Sequence, residues 1–126
     1  MLSAVPDSAP ESAARMWHVT LTVEGEPVSV PEIRAALERL SEEHPFLLAG
    51  RYAPTRAEVR YWDEAADAST ALTLAARLWG EHRVSAGLPD WQVVGVEVID
   101  QETFHRRGRA AHGQPGLVAA GRILPF

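Results

Sequence analysis

Five histidines are the residues of this 126-residue chain that are best suited to proton transfer or metal binding. The imidazole titrates near neutral pH and is a common metal ligand. His18 has the most suggestive neighbours, because it alternates with Thr20 in the segment WHVTLTVEG. A histidine beside an arginine, in a cavity that excludes water, could act as a general base on a small polar or anionic substrate. This gives an enzyme hypothesis with His18 as the base and Arg60 orienting the anion.

The other four histidines favour structural interpretations. His44 follows apolar residues at helical spacing and precedes a proline, so we expect it to end a helix. His82 falls near a predicted helix C-terminus, where positive charge is favourable. His105 and His112 are seven positions apart with Gly108 between them, which does not match a helical pair of metal ligands. We therefore predict no metal site.

Composition removes several other classes of site. The chain has no cysteine, which excludes disulfides, thiolate nucleophiles and sulfur-ligated zinc. No glycine-rich turn followed by lysine joins a strand to a helix, so we expect no phosphate-binding loop. The serines of PDSAPES lie in an unpatterned N-terminal stretch, so a catalytic triad has no local support. We assign no catalytic residues and expect no cofactor.

Charge and hydropathy restrict the partners. The net charge of -5 predicts repulsion from nucleic acid and anionic membranes, although the C-terminal run HRRGRAAHG is basic. Tyr61 and Trp62 are adjacent, so they point to opposite faces of a strand and do not form the base-stacking motif of RNA-recognition domains. No apolar run is long enough to cross a membrane, and the N-terminus lacks a secretory signal. We expect a cytoplasmic protein that binds neither nucleic acid nor membrane.

The elements that must position these side chains follow from hydrophobic periodicity. WHVTLTVEG alternates apolar and polar residues, which predicts a first strand. SVPEIRAALERLSEEHP predicts a helix with Ser29 and Glu32 as a capping box, and a hairpin follows it. A second helix is expected over 68–86, with Asp67 as its cap and Gly87 as its stop. WQVVGVEVID is the last predicted strand.

Two tryptophans lie close to the junction between the second helix and the last strand. Trp79 belongs to an apolar helical stripe with Leu72 and Leu78, and Trp91 opens the strand. Burial of large aromatic side chains is a sufficient explanation for both. We interpret them as core residues rather than as a binding site.

The element order β-α-β-β-α-β resembles the ferredoxin-like α+β sandwich. This resemblance implies a four-stranded antiparallel sheet in the order 4-1-3-2 with two helices on one face. The chain also resembles short actinobacterial proteins of unknown function. We expect one domain over 16–102, a flexible N-terminal arm over 1–15 and a C-terminal tail over 103–126. The architecture hosts many functions and does not select one.

The sheet face away from the helices is where we expect function. If the apolar residues from Trp17 to Val23 face the helices, the intervening polar residues lie on an open face. The candidate ligand or interface residues on that face are His18, Thr20, Arg51, Arg60, Trp62 and Glu97. They predict a small non-catalytic binding or interaction module, either a homodimer that pairs these faces or a receptor for a small polar or anionic ligand. The alternatives are an enzyme of the dimeric α/β-barrel type with His18 as base, and an exposed polar face without a partner.

Overall fold

A computed structural model of the protein describes residues 15–110 and 123–126, without the side chains of residues 109 and 110. These residues form five strands and three helices. In chain order they are β1 (Arg15–Glu24), α1 (Val30–Glu43), β2 (Leu47–Ala53), β3 (Arg56–Ala65), α2 (Ala68–Ala86), β4 (Gln92–Asp100), α3 (Gln101–Ala110) and β5 (Ile123–Pro125). The first six elements follow the predicted order β-α-β-β-α-β, and α3 and β5 are additional.

The strands form one mixed sheet in the order β4-β1-β3-β2-β5. The pairs among β1 to β4 are antiparallel, whereas β5 is parallel to β2. The backbone N–H of Phe126 extends this last pairing, because it donates to the Tyr52 carbonyl at 2.9 Å. The four predicted strands therefore lie in the predicted order 4-1-3-2, but the expectation of a four-stranded, entirely antiparallel sheet is wrong. Residues from the far C-terminal end add a fifth strand at its edge.

Helices α1 and α2 cover one side of the sheet, which we call the inner face. Val19, Leu21 and Val23 alternate along β1 and are buried against the helices, as the period of the segment predicts. Each fully buried side chain of this size contributes roughly 1.5–3 kcal/mol relative to exposure. The layer of α1 that faces these residues follows helical spacing and consists of Ile33, Ala36, Leu37 and Leu40. The core thus lies between the inner face and the two helices.

The ends of α2 are as predicted, whereas the start of α1 differs. The Asp67 carboxylate accepts the backbone N–H of Thr70 at 2.8 Å, and this hydrogen bond lowers the pKa of Asp67. Gly87 ends α2 with a φ of 71°, in the left-handed region that glycine adopts without a Cβ clash. At α1, the Ser29 hydroxyl donates to the Glu32 carboxylate at 2.8 Å and caps no backbone N–H. The predicted capping box is wrong, because the two side chains bond to each other.

The two tryptophans at the α2–β4 junction are core residues. Trp79 is 2% exposed, and its ring stacks on that of Trp91 with 6.4 Å between centroids and 3° between planes. Each indole N–H donates to a backbone carbonyl at 2.8 Å, Trp79 to Pro89 and Trp91 to Glu26. Leu72, which the predicted stripe also placed in the core, is 47% exposed. In the first turn of α2, Ala71 rather than Leu72 faces the sheet and is buried.

Helix α3 lies on the other side of the sheet, which we call the outer face, and follows β4 with no intervening residue. The Asp100 carboxylate accepts the backbone N–H of Thr103 at 2.7 Å, which caps the helix and lowers the pKa of Asp100. The expected arrangement of two helices on one face is therefore corrected to three helices on two faces. The segment expected as a C-terminal tail, 103–126, contains most of α3 and all of β5. The expected flexible arm lies outside the described residues, except that β1 begins at Arg15.

Candidate functional site

All six candidate residues lie on the outer face. They are His18 and Thr20 on β1, Arg60 and Trp62 on β3, Arg51 on β2 and Glu97 on β4. Thr20 is the cross-strand partner of both Arg60 and Glu97, so these three residues form one row across the sheet. His18 and Trp62 are partners in the neighbouring row. The register therefore brings five of the candidates together, and Arg51 lies one strand further along.

Helix α3 covers the end of the outer face that contains His18 and Trp62. The Phe104 ring centroid lies 4.4 Å from that of His18 and 4.8 Å from that of Trp62. The rings of His18 and Trp62 meet edge to face, with centroids 5.4 Å apart. His18 is only 6% exposed as a result. The outer face is thus half covered rather than open, and we call His18, Trp62 and Phe104 the aromatic cluster.

Burial in the aromatic cluster changes the chemistry of His18. Burial, followed by the positive charge of Arg60, lowers the pKa of His18 to about 4. The Glu97 carboxylate opposes this effect, and the Arg107 guanidinium adds to it. The imidazole is therefore neutral at pH 7. A general base works best when its pKa is near the operating pH, so this environment gives the enzyme hypothesis little support.

The other half of the outer face carries charged side chains in three rows, and no described helix covers it. The rows pair Glu97 with Arg60 across Thr20, Glu58 with Arg51, and Glu24 with Arg56. In each row the carboxylate lies nearer the β4 edge and the guanidinium lies nearer the β5 edge. We call this half, with Thr20 and Thr22 at its centre, the uncovered patch. Negative and positive charges are therefore separated across the uncovered patch, in the direction perpendicular to the strands.

Ion pairs within the chain engage most of these charges. The closest N···O distances are 3.3 Å for Arg107–Glu97, 3.5 Å for Arg60–Glu58 and 3.8 Å for Arg56–Glu24. Exposed pairs of this kind each contribute about 0–1 kcal/mol, so they orient the side chains more than they stabilise the fold. Arg51 forms no ion pair with the described residues, and its guanidinium lies 5.9 Å from the Phe126 ring centroid. Phe126 and the neighbouring Leu124 are exposed and extend the uncovered patch with apolar surface.

Two histidines on the helix side of the sheet contact neighbouring elements, His82 of α2 with α1 and His44 with β3. The Glu43 carboxylate is hydrogen bonded by the His82 ring at 2.6 Å and by the Ser85 hydroxyl at 2.7 Å. These two bonds lower the pKa of Glu43. The His44 ring packs edge to face on Tyr61 with 4.8 Å between centroids, and burial lowers the pKa of His44. His44 ends α1, as predicted, and His82 lies in the last turns of α2, where its ring bonds to a residue of α1.

Other kinds of site find little support in residues 15–110 and 123–126. These residues contain no group of three or more histidine, aspartate or glutamate side chains placed to hold a metal ion. A cavity of about 390 Å³ beside the start of α3 is lined by Arg15, Met16, Asp100, Gln101 and Glu102, none of them a candidate. No helix in the described part of the chain is both long and apolar enough to cross a membrane. The outer face therefore holds the strongest candidate site.

A family model for a domain of unknown function, DUF8830, matches residues 16–115, which run from β1 through α3. The chain belongs to the DUF8830 family. Among solved structures, this DUF8830 chain is similar to an acylphosphatase from Coxiella burnetii, with 18% identity over 71% of this chain and 83% of that chain. The TM-score is 0.36. A search of curated proteins finds no match.

Two parts of the candidate site are not predicted from the sequence. They are the helix that covers His18 and the exposed apolar surface around Phe126. The sequence does contain a signal for the start of α3, because Asp100 can cap a helix and Glu102 follows in its first turn. Phe104 and Arg107 are then one turn apart and reach the same side of the helix. No comparable signal marks β5, because three residues are too few to show alternation.

Proposed function

We propose that this DUF8830 chain is a small non-catalytic interaction module that forms a homodimer through its uncovered patch. The observation that carries the proposal is the common direction of the three charged rows. Each row has its carboxylate toward β4 and its guanidinium toward β5. A surface with this pattern is complementary to a second copy whose direction is reversed, and such complementarity favours the correct partner and orientation.

The charge direction selects one relative orientation of the two copies. A two-fold axis that lies in the interface, parallel to the strands, places the carboxylate side of one copy opposite the arginine side of the other. A two-fold axis that lies in the interface and runs across the strands would instead place the carboxylate side of one copy opposite the carboxylate side of the other. We therefore expect Glu97 to face the arginines of the second copy.

The centre of the uncovered patch carries only short side chains, which leaves room for a second sheet. Thr20 and Thr22 are half-buried and project from the central strand. Gly95, the cross-strand partner of Thr22, adds no side chain. An exposed apolar residue, Leu124, lies toward the β5 edge. Sheets packed face to face are about 10 Å apart, and short side chains at the centre permit that approach.

The same contacts favour a protein partner over a small anion or a reaction. Arg60 and Arg56 already contact the carboxylates of Glu58 and Glu24, at 3.5 Å and 3.8 Å. An anion would have to compete with these carboxylates for both guanidiniums. His18, the base of the enzyme hypothesis, is buried beneath α3 and is neutral at pH 7. A second copy needs neither guanidinium to be released from its carboxylate, because it meets the charges of the whole patch rather than a single arginine.

Charge reversal at Arg51 tests the proposal. Because Arg51 forms no ion pair with the described residues, Arg51→Glu places a like charge opposite the partner's carboxylate side without breaking a pair within the chain. Like charges across an interface cost several kcal/mol, so self-association should weaken by at least about tenfold. The assay is sedimentation velocity over a concentration series.

The matched control for this variant lies on the exposed side of α1. Arg34→Glu reverses a charge of the same type, in a surface pair with Glu38 at 3.3 Å, and should leave the sedimentation of the protein unchanged. A wild-type chain that stays monomeric at every concentration would contradict the proposal. So would an Arg51→Glu variant that dimerises as well as the wild type.

A further inference from the structure

Few contacts hold α3 on the outer face. Phe104 is the only large apolar residue of this ten-residue helix, and its ring packs on the aromatic cluster. Arg107 adds one exposed ion pair to Glu97 at 3.3 Å. Thr103 is the only other partly buried residue whose exposure is described in α3. Isolated helices of this length are marginal in water, so the position of α3 depends on the contact of Phe104 with the sheet.

A titratable ring lies directly beneath that contact. The His18 imidazole touches Phe104, and the charged groups that face it are Arg60 from β3, Glu97 from β4 and Arg107 from α3. Two of these three groups are positive. A protonated imidazole at this position would therefore be buried, poorly hydrated and repelled by two guanidiniums. With α3 removed from the sheet, the same imidazolium would be hydrated.

We propose that α3 is an acid-released cover, in which protonation of His18 detaches Phe104 and exposes the His18–Trp62 end of the outer face. The inference goes beyond dimerisation, because it concerns a movement within a single copy. Its consequence is a second state of the outer face that presents an aromatic pair in addition to the uncovered patch. The proton that drives this change comes from the solvent, so the change requires no other ligand.

The pH range follows from the two protonation equilibria of His18. The pKa of His18 is about 4 beneath α3 and returns toward 6.5 when the ring is exposed. The covered state is therefore fully stabilised above about pH 6.5, and this stabilisation is lost as the pH falls toward 4. The equilibrium constant for release of α3 should rise about 20-fold between pH 7 and pH 5.

Hydrogen exchange of the α3 amides, corrected for the intrinsic pH dependence of exchange, measures this release. In the wild type, protection of α3 should fall about 20-fold from pH 7 to pH 5, while β1 and β3 stay protected. His18→Phe keeps an aromatic ring but does not titrate, so the pH dependence should disappear. His105→Gln is the matched control, because it removes an exposed histidine of α3 itself, and the dependence should persist. Equal protection of wild-type α3 at both pH values, or an unchanged pH dependence in His18→Phe, would overturn the proposal.

A second measurement is independent of how His18→Phe folds. Histidine ring titration by NMR should give a low pKa for His18 in the wild type, and Phe104→Ala should raise it toward 6.5 because the ring becomes hydrated. A pKa of His18 that is the same in both proteins would show that Phe104 does not cover the ring. Dimerisation of the chain at pH 7 does not affect this comparison if both proteins are measured as monomers at low concentration.

Discussion

Replacing Trp79 by alanine tests the interpretation of the α2–β4 junction as core. The side chain is 2% exposed and stacks on Trp91. Burial of an indole removes roughly 150–250 Å² from water, or about 4–6 kcal/mol at ~25 cal/mol per Å². This area is an upper bound, because the unfolded chain is itself partly compact. The Pro89 carbonyl also loses the hydrogen bond from the indole N–H. We expect Trp79→Ala to lower the free energy of unfolding by about 4–5 kcal/mol, within the range found for such substitutions.

The assay for this variant is urea denaturation followed by far-UV circular dichroism, because fluorescence would change with the loss of an indole. Val84→Ala is the matched control on the same helix, since Val84 is 83% exposed and its truncation should change stability by less than about 0.5 kcal/mol. A loss below about 1 kcal/mol for Trp79→Ala would refute the core assignment. Trp79 would then have to be reconsidered as part of a surface site.

Three further substitutions have expected outcomes that the same denaturation assay checks. Tyr61→Phe should be neutral or stabilise the protein by up to about 1–2 kcal/mol, because the buried hydroxyl has no hydrogen-bond partner among the described residues; a clear loss of stability would show that the hydroxyl is used. Asp67→Ala should cost about 1 kcal/mol through loss of the cap on α2, and an unchanged midpoint would contradict this. Gly25→Ala should cost about 1–3 kcal/mol, because the new Cβ would clash with Cδ1 of Trp91 and displace the indole; wild-type stability would mean that the ring moves freely.

Strong local patterns account for the parts of the fold that the sequence predicts. Alternation along β1 separates inner from outer residues because the inner side is buried against helices. The bounds of α2 follow from Asp67 and Gly87, whose roles depend on local backbone geometry alone. The common face of His18, Thr20, Arg60 and the other candidates follows from the same alternation. These predictions need no knowledge of distant contacts.

The features that the sequence does not reveal depend on contacts between distant residues. Helix α3 has one large apolar residue, and its position is set by the packing of Phe104 on His18 and Trp62, both far away along the chain. The burial of His18 is unexpected for the same reason. Strand β5 is too short for a periodic signal and pairs with β2 across more than half of the chain. The common direction of the charged rows becomes visible only when strand order and register are known.

A mixing experiment tests dimerisation through the uncovered patch most directly. One variant is Glu97→Arg, and the other combines Arg51→Glu with Arg60→Glu, so each alone places like charges opposite each other in the proposed dimer. Mixed in equal amounts, the two variants face each other with opposite charges at both symmetry-related contacts. Sedimentation velocity should therefore show a dimer for the wild type, monomers for each variant alone and a dimer for the mixture. A monomeric wild type, a mixture that stays monomeric, or a variant that dimerises alone as well as the wild type would contradict the proposed interface.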